Sequence, residues 1–115
     1  MAEQDTQMQA NPEDWIRVVS DDGYSFLIKR KVANMSGTMK SSLDTSSGFS
    51  EAETKTYHAH DHRGIIVQKL LEYQAFKSYY VNDATKDEVP VNEFMERIPP
   101  EIVLELLLAG DYQEL

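Results

Sequence analysis

The sequence predicts a small α+β fold, and three observations support that class. Residues 15–29 alternate in the manner of a β-hairpin, residues 63–81 follow a helical period, and residues 100–110 form a second, strongly apolar helix. The order of strands and helices does not repeat the strand–helix–strand unit of a parallel α/β fold. At 115 residues the chain fits one domain. We therefore expect a polar, disordered leader over residues 1–14 and one domain over residues 15–115, with a small mixed sheet of about three strands and packed helices.

The hairpin is predicted by alternation on both sides of a turn. Residues 15–20, WIRVVS, place Ile16 and Val18 on one face of a strand. Asp21-Asp22-Gly23 is a turn signal, because glycine accepts the positive φ that tight hairpins require. The return strand over residues 24–29 is expected to point three side chains inward: Tyr24, Phe26 and Ile28.

Short elements are predicted between the hairpin and the long helix. One helical turn is expected over residues 31–35. Ser36 is expected to cap a second short helix that runs to Leu43, because a serine oxygen accepts a hydrogen bond from a backbone N–H of the first turn. Residues 44–48 are predicted as a loop by composition, and residues 54–60 alternate weakly, which favours a third strand.

The helix over residues 63–81 carries an apolar stripe and a group of aromatic residues. The stripe consists of Ile66, Leu70, Tyr73 and Tyr80, with Phe76 adjoining it. Four aromatic side chains fall within eight positions, Tyr73, Phe76, Tyr79 and Tyr80. That arc is too wide for one buried face, so some of these rings should be available to a partner.

The last helix has more apolar surface than one buried face can use. It is expected to begin at Pro100 and to end at Gly110. Seven of the eight residues from Ile102 to Ala109 are apolar, whereas a helix packed on its own core needs a stripe only about 100° wide. One face would hold Ile102, Val103, Leu106 and Ala109 or Gly110. The side chains left over are Leu104, Leu107, Leu108 and Tyr112, which would form a protein–protein site; enclosure of the whole helix by its own domain is the alternative.

Composition disfavours several classes of function. The net charge is −9, with 20 acidic and 11 basic residues, which disfavours binding to nucleic acid or to anionic membranes. The absence of cysteine excludes disulfides and thiolate zinc sites. No apolar run approaches the ~20 residues of a membrane span, and the first residues lack the pattern of a signal peptide. We expect an intracellular protein.

The residues give no enzyme signal. His58, His60 and His62 would project from one face of an extended strand, but such rings lie roughly 7 Å apart, so one ion could hardly bind all three. The sequence contains neither a nucleophile elbow nor the spacing of a phosphate-binding loop. We expect no catalytic residues and no cofactor, and a histidine-dependent metalloenzyme stays as an alternative that metal measurement would test.

Three stretches, in order, resemble one known family. Residues 18–30, VVSDDGYSFLIKR, resemble the opening hairpin of the elongin C family, residues 35–40, MSGTMK, its Ser-Gly-Thr helix start, and residues 100–109, PEIVLELLLA, its final helix. The resemblance covers nearly the whole chain, from about Trp15 to Leu115. It implies a BTB/POZ-like α+β fold, shared with the SKP-type adaptors of cullin ubiquitin ligases.

The resemblance also implies a function. Elongin C is a non-enzymatic adaptor that links substrate receptors carrying a short hydrophobic helix, the BC box, to a cullin. It also joins elongin A in transcription elongation and in many organisms pairs with the ubiquitin-like elongin B. The implied partners are therefore proteins, with no direct nucleic acid and no membrane, in the nucleus and cytoplasm. A self-associating BTB-type interaction module is the alternative function.

Site residues follow from the resemblance, position by position. The implied receptor-helix pocket consists of Tyr73, Phe94, Leu104, Leu107, Gly110, Tyr112 and Leu115. The implied cullin-binding residues are Phe49, Ser50, Glu51 and Tyr73, the first three in the loop over residues 45–53. The chain departs from the family at Gly110, where Ala is usual, at Tyr112, where Phe is usual, at Gln113, where an apolar residue is usual, and at Leu115, where animal forms have Cys. We expect the pocket to survive with an altered partner preference.

Overall fold

The computed structural model describes residues 11–44, 54–81 and 90–115. Its elements in chain order are β1 (Trp15–Ser20), β2 (Ser25–Lys29), α1 (Arg30–Ala33), α2 (Gly37–Ser42), β3 (Thr56–Ala59), α3 (Gly64–Val81), α4 (Val91–Met95), a 3₁₀ turn (Pro100–Ile102) and α5 (Val103–Tyr112). Apart from Asp44, the predicted 44–48 loop lies outside the described residues, as do the first ten residues of the predicted leader.

The three strands form a mixed sheet in the order β2-β1-β3. β1 pairs with β2 antiparallel, and Val18 lies opposite Phe26; β1 pairs with β3 parallel, and Val18 lies opposite Tyr57. Gly23 closes the hairpin at a φ of +91°, a conformation that glycine adopts without a steric penalty. The predicted α+β class with a small mixed sheet is confirmed.

One residue of the hairpin departs from its predicted orientation. Ile16 and Val18 are fully buried, and Phe26 and Ile28 pack partly buried against the same core, as predicted. Tyr24 is 63% exposed, so its predicted inward orientation is wrong. It precedes the first residue of β2, where strand alternation does not yet apply, and its ring lies against the backbone of Gly64.

Helix α3 is central because it packs on two cores. Val67 and Leu71 join the core that lies on the inner face of the sheet. Ile66 and Leu70 join a second core that is built with α4, the 3₁₀ turn and α5. The predicted stripe therefore describes one of the two buried sides of this helix. Of the described helices, none combines the length and the apolar character that crossing a membrane requires.

Residues 11–14, at the end of the predicted leader, pack against the start of α1. The Pro12 and Asp14 carbonyls accept hydrogen bonds from the backbone N–H groups of Lys31 and Arg30, at 3.0 and 2.8 Å. The Glu13 carboxylate lies 2.7 Å from Lys29 Nζ and 3.0 Å from Lys31 Nζ. Hydrogen bonds from these two lysines lower the pKa of Glu13. The boundary between leader and domain stays a prediction.

The last helix ends later than predicted. Helix α5 continues through Gly110 to Tyr112, so the predicted stop at Gly110 is wrong. The chain turns instead at Glu114, which takes a φ of +59°, and the N–H of Leu115 donates to the Gly110 carbonyl at 3.0 Å. A left-handed residue after a helix is the usual way to end it; here a glutamate takes that position.

Candidate functional site

An apolar cavity of about 300 Å³ lies where α3, α4 and α5 meet. Its walls are mostly apolar, which is typical of a site that binds a hydrophobic group. The lining residues are Leu70, Tyr73, Val91, Phe94, Met95, Leu106, Leu107, Gly110, Asp111 and Leu115.

Aromatic rings from α3 and α4 form one wall. The Tyr73 and Phe94 rings meet edge to face with centroids 5.3 Å apart, and Phe76 lies 5.3 Å from Phe94 on a second side. Phe94 is buried and Tyr73 is half-buried. Aromatic pairs at this distance hold each other in place, so this wall is formed before any partner binds.

Helix α5 supplies the opposite wall. Leu106 is buried beneath the cavity, and Leu107 stands at its rim. Gly110 leaves space between them, because a Cβ at this position would meet only Leu115 Cδ1, at 4.0 Å. Leu115 closes the cavity beyond Gly110 and packs on the second core.

The outer surface of α5 forms an exposed hydrophobic ridge. Four large side chains lie there with exposures between 53% and 71%: Leu104, Leu107, Leu108 and Tyr112. Ile102, Leu106 and Ala109 are buried on the opposite side. The predicted division of the last helix into a core face and a surplus is therefore confirmed. Grouped exposed leucines on a small domain are typical of a protein-binding surface.

The structure brings together five of the seven predicted pocket residues. Tyr73, Phe94, Leu107, Gly110 and Leu115 line the cavity. Leu104 and Tyr112 do not line it and lie instead on the exposed ridge, so their part in receptor binding stays a prediction. Helical geometry explains the difference, because residues spaced by four or eight positions share the outward side of α5, beyond the rim that Leu107 forms.

Sequence reasoning missed five residues that line the cavity: Leu70, Val91, Met95, Leu106 and Asp111. Val91, Phe94 and Met95 follow the i, i+3, i+4 spacing of one helical face, and that signal could have identified α4. The sequence assigned Leu106 to the core face of the last helix. That assignment did not indicate that Leu106 also lines the cavity. The predicted cullin-binding residues Phe49, Ser50 and Glu51 lie outside the described residues.

An ion pair borders the ridge. Arg63, immediately before α3, directs two nitrogens at the Glu105 carboxylate of α5, with distances of 2.9 to 3.2 Å. The hydrogen bonds lower the pKa of Glu105 and raise the pKa of Arg63. Glu105 is therefore the charged edge of an otherwise apolar surface.

The histidines do not share one strand face. β3 ends at Ala59, so His60 and His62 lie beyond the strand. The His58 and His60 rings stack with centroids 5.6 Å apart, whereas His62 is buried beside Tyr112. Across the three described ranges, no group of three metal-ligating side chains is placed to hold an ion.

A three-stranded mixed sheet with packed helices, one of which packs on two cores, is an α+β arrangement consistent with the SKP1/BTB-like class. The chain is 31% identical over 113 residues to Elongin-C of Dictyostelium discoideum, covering 91% of this chain and 97% of that relative. It is 32% identical over 102 residues to Elongin-C of Saccharomyces cerevisiae, covering 87% of this chain and 95% of that relative. No protein-family model matches the chain. The chain belongs to the elongin C family.

Membership in this family carries a general role. Its relatives named Elongin-C support an adaptor role in elongin and cullin complexes in general, and the chain shares that broad assignment.

Proposed function

We propose that this protein links substrate receptors to a cullin by holding an amphipathic, BC-box-type helix of the receptor in the cavity between α3, α4 and α5. The observation that carries the proposal is the position of Leu107, which belongs both to the cavity rim and to the exposed ridge of α5. A helix that lies along the ridge can therefore place one apolar side chain in the cavity.

The cavity provides the anchor site in this proposal. An apolar side chain of the receptor helix would contact Tyr73, Leu107 and Leu115. Burying one such side chain contributes about 1.5–3 kcal/mol. Neighbouring apolar residues at helical spacing would cover Leu104 and Leu108, as helices in hydrophobic grooves commonly do.

Asp111 adds a polar contact at the wall of the cavity. It is the single carboxylate among the described residues that line this space. A basic residue next to the apolar anchor of the receptor helix would pair with it. The favoured partner is thus an amphipathic helix with an apolar anchor and a flanking Lys or Arg.

The second half of the proposal concerns the cullin. The resemblance assigns cullin contacts to Phe49, Ser50 and Glu51, with Tyr73 on the long helix. One domain that holds both partners raises the effective concentration of substrate near the ubiquitin-transfer machinery. An elongin A-like partner would use the same cavity in transcription elongation, and an elongin B-like protein would be a further partner, in the nucleus and cytoplasm.

A pull-down with a BC-box helix peptide tests the receptor site. Leu107→Asp places a carboxylate at the cavity rim and should lower retention by about tenfold or more, because the charge must be desolvated on binding. Leu104→Asp tests the ridge separately. Leu27→Asp is the matched control, because Leu27 is a similarly exposed leucine on β2. Equal retention of Leu107→Asp and the control would contradict the cavity assignment.

The exposed ridge also supports a second candidate function, self-association of two chains through α5. Mass measurement over a range of concentrations separates the two functions. A monomer that captures the peptide excludes the self-associating module, whereas a dimer that dissociates on peptide binding shows that both use the ridge.

A further inference from the structure

The first turn of α2 holds the backbone that follows α5. Ser36 Oγ donates to the Gln113 carbonyl at 2.6 Å and also accepts from the N–H of Met39 at 3.2 Å. Thr38 Oγ1 donates to the Tyr112 carbonyl at 3.2 Å, and the Gly37 N–H donates to the Glu114 carbonyl at 3.3 Å. These contacts join segments that lie more than 70 residues apart in the sequence.

The Gln113 side chain continues this contact into the core. It is 1% exposed, and its Oε1 accepts a hydrogen bond from the Tyr57 hydroxyl of β3 at 3.1 Å. The hydrogen bond from Tyr57 orients this buried amide, whose Nε2 has no hydrogen-bond partner among the described residues. We call the contacts of Ser36, Thr38 and Tyr57 with residues 112–114 the latch.

The latch lies directly before Leu115 in the chain. Directly after Gln113 the chain reverses at Glu114, and the Leu115 N–H bonds to the Gly110 carbonyl at 3.0 Å. This reversal places the Leu115 side chain in the cavity wall beside Gly110. Leu115 is a single side chain on a short reversed segment. Its position in the cavity wall therefore depends on the contacts that hold residues 112–114.

We propose that Ser36, Thr38 and Tyr57 are positioning residues for the receptor site, whose hydroxyl groups fix Leu115 as the wall that sets the size of the accepted apolar anchor. The inference rests on the proposed function of the cavity. A purely structural role of the latch would lower the stability of the domain and would weaken all peptides equally. A positioning role changes the ratio of affinities for small and large anchors.

The test uses the full chain and two BC-box-type helix peptides that differ only in a valine or phenylalanine anchor. The latch variant Tyr57→Phe/Thr38→Val removes two hydroxyls of the latch. The control Tyr24→Phe/Thr56→Val removes the same groups outside it, since Thr56 Oγ1 bonds to the Thr54 carbonyl, also at 3.2 Å. We expect the valine-to-phenylalanine affinity ratio to fall about fivefold in the latch variant and to stay unchanged in the control. Leu115→Ala should move the ratio in the same direction.

An unchanged ratio in the latch variant, with both peptides bound by the unmodified protein, overturns the proposal. If the unmodified protein binds neither peptide, the proposed function fails. The positioning role of the latch is then tested by amide hydrogen exchange at Leu115. Faster exchange in the latch variant alone supports its positioning of Leu115, and equal exchange in both variants overturns it.

Discussion

Arg63 Nη2 lies 2.9 Å from Glu105 Oε1, and Arg63 Nε lies 3.1 Å from Glu105 Oε2. This paired geometry joins the start of α3 to the outer side of α5. It fixes one edge of the ridge, while the cavity lies along the other edge. The rotation of α5 about its axis therefore has a polar restraint in addition to core packing.

The ion pair predicts a pH dependence of stability. Its hydrogen bonds lower the folded-state pKa of Glu105 from its ordinary value of 4.5, so the pair stabilises the fold above that value and loses its effect as the pH falls through the folded-state pKa. Both groups are exposed, so the effect is small. Glu105→Gln should lower the urea midpoint at about pH 7, and the difference from the unmodified protein should vanish as the pH falls through the folded-state pKa of Glu105.

Glu101→Gln is the control for this measurement, because Glu101 lies in the 3₁₀ turn before α5 and outside the pair. A difference between Glu105→Gln and the unmodified protein that persists unchanged in acid would contradict the assignment.

Gly110→Ala should stabilise the domain and narrow the cavity. Gly110 lies inside α5, where glycine costs about 0.5–1 kcal/mol relative to alanine, and an added Cβ has room beside Leu115. Urea unfolding should show a gain of about that size, with weaker binding of large anchors. Gly37→Ala should show no gain, because its Cβ would lie 3.1 Å from the Glu114 Cβ. Equal gains in the free energy of unfolding at both positions would show that helix propensity alone determines the effect and that the contact with Glu114 does not contribute.

Ser36→Ala should destabilise the domain more than an ordinary surface substitution. It removes the cap of α2 and the 2.6 Å bond to Gln113, and loss of a serine cap costs about 0.5–2 kcal/mol. Ser41→Ala, on an exposed position of the same helix, should stay within about 0.5 kcal/mol of the unmodified protein. Chemical denaturation compares the two, and similar losses would mean that the latch adds nothing to stability.

Leu104→Lys/Leu108→Lys should suppress self-association and leave stability nearly unchanged. Both side chains are exposed on the ridge. Their replacement by lysine therefore reduces the exposed apolar surface and leaves the packing of the core unchanged. Light scattering over a range of concentrations measures association, and thermal unfolding measures stability. A large drop in the unfolding midpoint would show that the ridge is packed within the domain.

Much of the fold could be predicted because its signals are local. The hairpin follows from alternation around Gly23, and Ser36 caps α2 as its side chain and sequence position indicate. The apolar surplus of the last helix was also predictable, because more leucines occur there than one face can bury. These features depend on interactions between residues that are close together in the sequence.

The cavity could be predicted only in part. The resemblance identified Tyr73, Phe94, Leu107, Gly110 and Leu115, and the structure places all five on its walls. It also named Leu104 and Tyr112, which lie outside. Which side of α5 borders a space depends on where α3 and α4 pack against it, and that packing is not contained in the pattern of α5 itself.

By itself the sequence determined the α+β class, the positions of the main strands and helices, and the presence of an unburied apolar surface on the last helix, because each depends on local periodicity and capping. Only the tertiary structure decided that Gln113 is buried, that Leu115 is a wall of the cavity and that the helix ends at Tyr112. The buried Gln113, for example, is held by hydrogen bonds from Ser36 and Tyr57, which are far from it in the sequence and become its neighbours only when the chain folds.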